Sequence, residues 1–135
     1  MEYQHSGITS EIIAAAFEVH KELGCGFQEV IYQRSLAIEF DIRKLSFARE
    51  VEIPVYYKSS EVGLRRVDFL VSSVISVELK ALAQLEDVHL AQALNYLEAF
   101  NLEVGLLINF GAKSLEVKRL YNKKYKPDKI KNNIP

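Results

Sequence analysis

Charge inside a β-strand is expensive, and one stretch of this chain carries it repeatedly. Residues 64–80 read LRRVDFLVSSVISVELK. Two apolar runs rich in β-branched residues, 67–71 and 74–79, are separated only by Ser72 and Ser73, which predicts two strands joined by a tight turn. Set into these strands are Arg66, Asp68, Glu78 and Lys80. A strand buried on both faces is nearly all apolar, and an ion inside it is costly unless paired or metal-bound. Strand side chains alternate, so Arg66 and Asp68 share one face of the first strand, and Glu78 and Lys80 one face of the second. Pairing around Ser72 and Ser73 brings two carboxylates and an ammonium to one spot on the sheet.

The rest of the chain is compatible with an ordinary folded domain around that spot. It has 135 residues, 49% hydrophobic and 26% charged, enough for one domain with a real core. The domain is expected over 1–121, followed at 122–135 by a lysine-rich tail (NKKYKPDKIKNNIP after Tyr121, opening at Asn122) whose low apolar content predicts fraying. A net charge of −1 argues against an extensive basic field for nucleic acid, though not against a local patch. The single cysteine, Cys25, excludes an internal disulfide and a multi-cysteine zinc site. The opening MEYQHSGITSE lacks a basic segment followed by an apolar core, and no apolar run approaches the roughly 20 residues of a membrane span. A cytoplasmic location, with no membrane partner, is the expectation.

Periodicity places the elements. Residues 9–23 read as a helix, with Ile12, Ala16, Val19 and Leu23 at helical spacing, Thr9 or Ser10 as cap and Gly24 as stop. A second helix is expected over 28–44, with Glu29 in its first turn and Tyr32 three residues on, beside it on the helix surface. There Glu29 is equally read as an acid placed for the helix dipole. Residues 47–57 alternate as a strand in which Pro54, lacking a donor, argues for an edge or a bulge. Residues 58–63 read as a polar hairpin connection. After the two charged strands, Asp87 is the expected cap of a helix to Phe100, on which His89, Gln92 and Tyr96 fall on one face. An interior strand over 103–110 and an alternating strand over 115–121 complete the domain. Sequential hairpins followed by a crossover helix imply an α/β mixed sheet with helices packed on it.

Asp68, Glu78 and Lys80 allow two readings from spacing alone. One is a structural ion pair at a strand end. The other is a metal-assisted hydrolase: one or two carboxylates hold a hard ion such as Mg²⁺, which polarises a phosphoryl oxygen and activates water. Lys80 then orients or helps deprotonate that water and offsets charge developing on phosphorus.

An acidic residue in one strand followed by Glu-x-Lys in the next, here Asp68 and then Glu78-Leu79-Lys80, resembles the PD-(D/E)XK nuclease superfamily. More narrowly, Gly26-Phe27-Gln28-Glu29-Val30-Ile31-Tyr32 is similar to the motif of the family named GxxExxY, with further likeness in 18–24, 54–57, 66–68, 89–97 and 104–111. The resemblance implies a restriction-endonuclease-like three-layer core, a mixed β-sheet flanked by α-helices. It implies Asp68 and Glu78 as ligands of Mg²⁺ or Mn²⁺ and Lys80 as the catalytic lysine. Glu29 becomes an additional acid for a second ion or a metal-bound water, and Gln92 a residue near the scissile phosphate. Arg66 and Tyr96, sharing faces with Asp68 and Gln92, join as candidate substrate contacts, and His89 is read as a surface or packing residue on the same face as Gln92. Tyr32 is read as a packing or hydrogen-bonding support. Cys25 stands where this family's turn is expected to hold proline.

The leading expectation is therefore a divalent-metal-dependent nuclease acting on DNA or RNA. Its alternative is a catalytically silent nuclease-fold module for binding nucleic acid or protein, favoured by the absence of any added recognition domain. A homodimer whose joined surfaces form the groove is a third reading.

Overall fold

The computed structural model describes residues 5–127. Two helices, α1 (Ser6–Leu23) and α2 (Glu29–Ile42), precede three strands, β1 (Phe47–Tyr57), β2 (Ser60–Val71) and β3 (Ile75–Lys80). Then come α3 (Asp87–Phe100), β4 (Val104–Asn109) and β5 (Glu116–Tyr121). All five strands form one sheet in the order β1-β2-β3-β4-β5. Hairpins make β1–β2, β2–β3 and β4–β5 antiparallel, while β3–β4 is parallel. Parallel neighbours cannot be joined by a tight turn, and α3 is the crossover that joins them.

Helices cover both faces of the sheet. Ile12, Ala16 and Val19 of α1 and Leu36 and Phe40 of α2 pack on Phe69, Val71, Ile75, Val77 and Leu79, with Leu106 and Ile108 of β4 beneath them. Tyr96, Leu97 and Phe100 of α3 pack on the opposite face against Val51, Ile53, Val67 and Leu70. β4 is buried along its whole length, in keeping with the apolar run from Val104 to Ile108 that an interior strand needs. This is the mixed α/β sheet expected from the element order, in the three-layer arrangement that the resemblance implied.

Boundaries differ where local chemistry is ambiguous. α1 begins at Ser6, and the expected cap Thr9 lies inside it, its hydroxyl donating to the His5 and Ser6 carbonyls at 3.3 and 3.2 Å. β2 begins at Ser60, because Lys58 and Ser59 alone make the turn, with φ of 47° and 69°. Such a two-residue turn matches strand twist when both central residues take positive φ. Residues 60–63, expected as connection, are thus strand. Pro54 does lie on an edge strand, and the register shifts at Val55/Tyr56.

The beginning of the lysine-rich segment is anchored. Asn122 is buried and its Nδ2 donates to the Leu97 and Leu102 carbonyls at 3.2 and 3.0 Å. The Asn101 side chain meets Lys126 through both its backbone groups, at 2.8 and 2.9 Å. The rest of the tail, 128–135, lies outside the described residues. No helix among the described residues is long and apolar enough to cross a membrane.

Candidate active site

The site lies where β2 and β3 part. The two strands pair only through Phe69–Val77, Leu70–Ser76 and Val71–Ile75. One rung further would set Asp68 opposite Glu78, but there the ladder stops. The Leu79 N–H, left without a strand partner, donates instead to Asp68 Oδ2 at 2.8 Å. A buried backbone donor must find an acceptor, and here a carboxylate replaces the ladder carbonyl.

Asp68 takes this position because the sheet loses its alternation at that rung. Phe69 and Val71 face α1 and α2, whereas Val67 faces α3. Strict alternation would put Val67 with Phe69. On the neighbouring strand, Glu50 has φ of 52°, so that Arg49 reaches α2 while Val51 faces α3. A left-handed residue that is not glycine is uncommon and concentrates at functional sites. Asp68 Oδ1 accepts from Gln33 Nε2 at 2.9 Å, and Gln33 Oε1 accepts from Arg49 Nη2 at 2.9 Å. Gln33 is buried, so Arg49, Gln33 and Asp68 form a chain that sets the carboxylate's rotation.

Glu78 is 5% exposed, facing away from the α1/α2 core that takes its neighbours Val77 and Leu79. Its Oε1 accepts from Arg65 Nη2 at 3.1 Å, and the same nitrogen donates to the Gln92 carbonyl at 2.7 Å. Burial raises the Glu78 carboxyl above the ordinary glutamate range; Arg65 opposes the rise and Asp68 adds to it, with smaller opposing effects of Lys80 and Glu29. Glu29 is the first residue of α2. Loss of solvent also raises its carboxyl, followed by the charge of Asp68, while Lys80 and Arg66 pull it down. Glu29, Asp68, Glu78 and Lys80 are therefore within electrostatic reach of one another. Lys80 makes no ion pair of its own among the described residues. A cavity of about 270 Å³ is lined by Glu29 and Asp68 together with Val30, Gln33, Glu50 and Arg66. A larger cavity of about 330 Å³, lined in part by Glu18, Glu22, Ser35 and Glu39, lies between α1 and α2 and includes none of these groups.

Within 26–32, Tyr32 and Glu29 occupy different surroundings. The Tyr32 hydroxyl donates to the Gly24 carbonyl at 2.6 Å and accepts from the Phe27 N–H at 3.3 Å, and its ring stacks on Phe110 at 4.8 Å. It ties down the turn containing Gly26, whose φ of 112° suits glycine, and so fixes where α2 begins. Glu29 then projects from that first turn. Tyr32 has the supporting role expected of it.

On α3 the expected shared face separates. Gln92 is exposed and its carbonyl reaches Arg65. Tyr96 is fully buried, its hydroxyl donating to the Val51 carbonyl at 3.4 Å, and burial pushes its ionisation far upward. Its side chain has no surface left to offer a substrate. His89 accepts the Glu86 N–H at 3.0 Å through Nδ1 and so closes a capping box, with Glu86, not Asp87, at the cap. Arg66 lines the cavity with Asp68 and lies 3.8 Å from Glu50. Sequence reasoning missed Gln33 and gave Arg49 and Arg65 no part in the site. For Gln33 the signal was its place four residues after Glu29, on the same helical face.

These donors are carboxylate oxygens, hard ligands that suit Mg²⁺ or Mn²⁺ better than a soft metal. Among the described residues, no three metal-ligating side chains are gathered closely enough to enclose an ion as they stand. Mg²⁺ needs no such cage, since one or two carboxylates hold it while waters complete the shell. Asp68 and Glu78 fit that lesser requirement, each oxygen retaining acceptor capacity beyond its present hydrogen bond.

The raised carboxyls predict a direction for stability. Each binds its proton more tightly folded than unfolded, so its contribution favours the folded chain below the ordinary value of about 4.3 and is lost as pH rises through the raised one. In EDTA, wild type is expected to lose melting temperature relative to Glu78→Gln as pH rises from about 4.5 to neutrality. A difference that does not change with pH contradicts this.

No curated protein matches the chain, and no solved structure matches it. The sequence pattern of the PD-(D/E)XK nuclease superfamily matches residues 6–120, a span that begins with α1 and contains Glu29, Asp68, Glu78 and Lys80. By that match, over most of its length, the chain belongs to the PD-(D/E)XK nuclease superfamily.

Proposed function

We propose that this protein is a divalent-metal-dependent nuclease, hydrolysing phosphodiester bonds of DNA or RNA, and that it belongs within the superfamily to the group named for the GxxExxY motif. What supports the reading is the superfamily match over residues 6–120, together with the action of the Asp68 and Lys80 charges on both Glu29 and Glu78 near the point where β2 and β3 separate. Asp68 and Glu78 would hold Mg²⁺ or Mn²⁺, and Glu29 would hold a second ion or a metal-bound water. When bound, such an ion polarises a phosphoryl oxygen and lowers the pKa of water.

The chain's own groups supply the rest. Lys80 Nζ orients the attacking water and donates to the oxygen on which charge grows. Asp68, held by Gln33 and the Leu79 N–H, keeps its geometry without reorganising. Arg66, with much of its side chain exposed beside the cavity, and exposed Gln92 meet the substrate backbone. Cys25 is exposed and takes no part; in a reducing cytoplasm it stays a thiol.

The test is cleavage of single-stranded, duplex and branched DNA and RNA with Mg²⁺, Mn²⁺ or EDTA, beside Asp68→Asn. Cleavage is expected with metal only, falling at least about a hundredfold in the variant. Asn keeps an oxygen for the Leu79 N–H and gives up the bond from Gln33, so retention of the fold is checked by melting beside the wild type. Cleavage that survives both EDTA and Asp68→Asn would sink the reading. A silent module is the second reading, favoured by the Arg65 contact that already neutralises Glu78. Nucleic-acid binding without cleavage under every metal condition would establish it.

A further inference from the structure

We propose that Arg65 is the resident counter-ion of Glu78, displaced when a divalent cation binds there; this rests on the metal-dependent reading above. Glu78 is the most enclosed charge of the site, its side chain 6% exposed, and Arg65 is its ion-pair partner at 3.1 Å. A carboxylate so buried without a partner would be strongly destabilising. Its neighbours Val77 and Leu79 face the core and offer no charge. Arg65 thus does for the empty site what a cation would do for the filled one.

The two cannot both sit comfortably on one carboxylate. An ion bound to Glu78 approaches its oxygen to about 2.0–2.1 Å if it is Mg²⁺. It would then stand close to a fixed guanidinium in a poorly solvated place, where like charges repel most strongly. Arg65 also has somewhere to go. Its side chain is 29% exposed, and its other contacts are neutral carbonyls, those of Arg66 at 3.2 Å and Gln92 at 2.7 Å. One nitrogen serves both Glu78 and Gln92, so the hold on Glu78 is a single hydrogen bond, not the bidentate clamp expected of a permanent pair. Arg66, by contrast, faces the cavity and Glu50, so the two adjacent arginines are not interchangeable.

The experiment titrates the intact protein with Mn²⁺ by calorimetry, and follows melting in EDTA and in saturating Mn²⁺, for wild type, Arg65→Ala and Arg65→Gln. Glutamine retains a donor for the Gln92 carbonyl but no charge. Both variants are expected to melt lower than wild type in EDTA, to recover most of the loss in Mn²⁺, and to bind Mn²⁺ about tenfold more tightly. Equal or weaker Mn²⁺ binding by both folded variants overturns the proposal, since an arginine that merely packs or aligns Glu78 gives that result. If Arg65→Ala does not fold in EDTA, folding on addition of Mn²⁺ supports the proposal, and Arg65→Gln supplies the affinity. Absence of Mn²⁺ binding by the folded wild type and both variants overturns the metal-dependent reading, and the proposal with it.

Discussion

Lys80→Ala is expected to cut metal-dependent cleavage by roughly 10²–10⁴-fold while leaving nucleic-acid binding and melting temperature close to wild type. The separation follows from where Lys80 sits. It ends β3, its backbone carbonyl accepting the Phe110 N–H at 2.8 Å, so the strand pairing is independent of the side chain. Its ammonium makes no ion pair among the described residues, and removing it orphans no partner. What the charge does is lower the carboxyls of Glu29 and Glu78. Alanine at 80 therefore also moves any residual rate–pH profile upward, because both acids then need a higher pH to ionise. Initial rates over a pH series, with fluorescence-anisotropy binding of the same oligonucleotide, check both parts. A rate within a few-fold of wild type would remove Lys80 from the chemistry.

Gly111→Ala is expected to be the most damaging single methyl group in the protein. A Cβ there would lie 2.3 Å from the Leu82 nitrogen, 2.5 Å from the Ala81 carbonyl carbon and 2.5 Å from the Leu82 oxygen. These are backbone atoms and cannot rotate aside. They are also held in place: fully buried Asn109 accepts the Leu82 N–H at 2.8 Å and donates to its carbonyl at 2.9 Å, while accepting the Gly111 N–H at 3.1 Å. Relief of the clash breaks that set. Overpacking of about 1–3 kcal/mol, plus about 0.5–1.5 kcal/mol for each of one to three lost hydrogen bonds, puts the central expectation at roughly 3–5 kcal/mol. For a chain of this size that is a melting temperature lower by roughly 10–20 °C. Gly63→Ala, with nothing within 4 Å of the added carbon, is the control and should change stability by less than about 0.5 kcal/mol. Gly111→Ala melting beside that control would show that the connection after β3 is softer than its hydrogen bonds imply.

The parts of this architecture legible beforehand are those written in local periodicity. The strand bounds of 47–57, the apolar run of β4 and the span of α3 appear in the structure nearly as expected. The two-residue turn at Lys58 and Ser59 escaped notice because neither residue is the asparagine or glycine that usually signals positive φ. Glu50 hid the loss of alternation for the same reason. Asp68, Glu78, Lys80 and Glu29 stood out because charge is conspicuous in apolar strands and the Glu-x-Lys spacing is short. Gln33, Arg49 and Arg65 did not, because their partners are distant in sequence: Arg49 lies 16 positions from Gln33, and Arg65 lies 27 from the Gln92 carbonyl it reaches. Tyr96 misled in the opposite direction. Helical spacing put it beside Gln92, but a helix lying on a sheet buries one edge of any such row, and Tyr96 fell on the buried edge.

The bond from the Leu79 N–H to Asp68 makes the descent of a protein like this one asymmetric. A lineage that stopped needing catalysis would remain under selection at position 68, because the sheet itself relies on an acceptor there. Nothing comparable restrains position 80, whose ammonium bonds to no neighbour among the described residues. Decay of activity would be written first at the lysine, and an aspartate or asparagine at 68 would outlive the chemistry it once served.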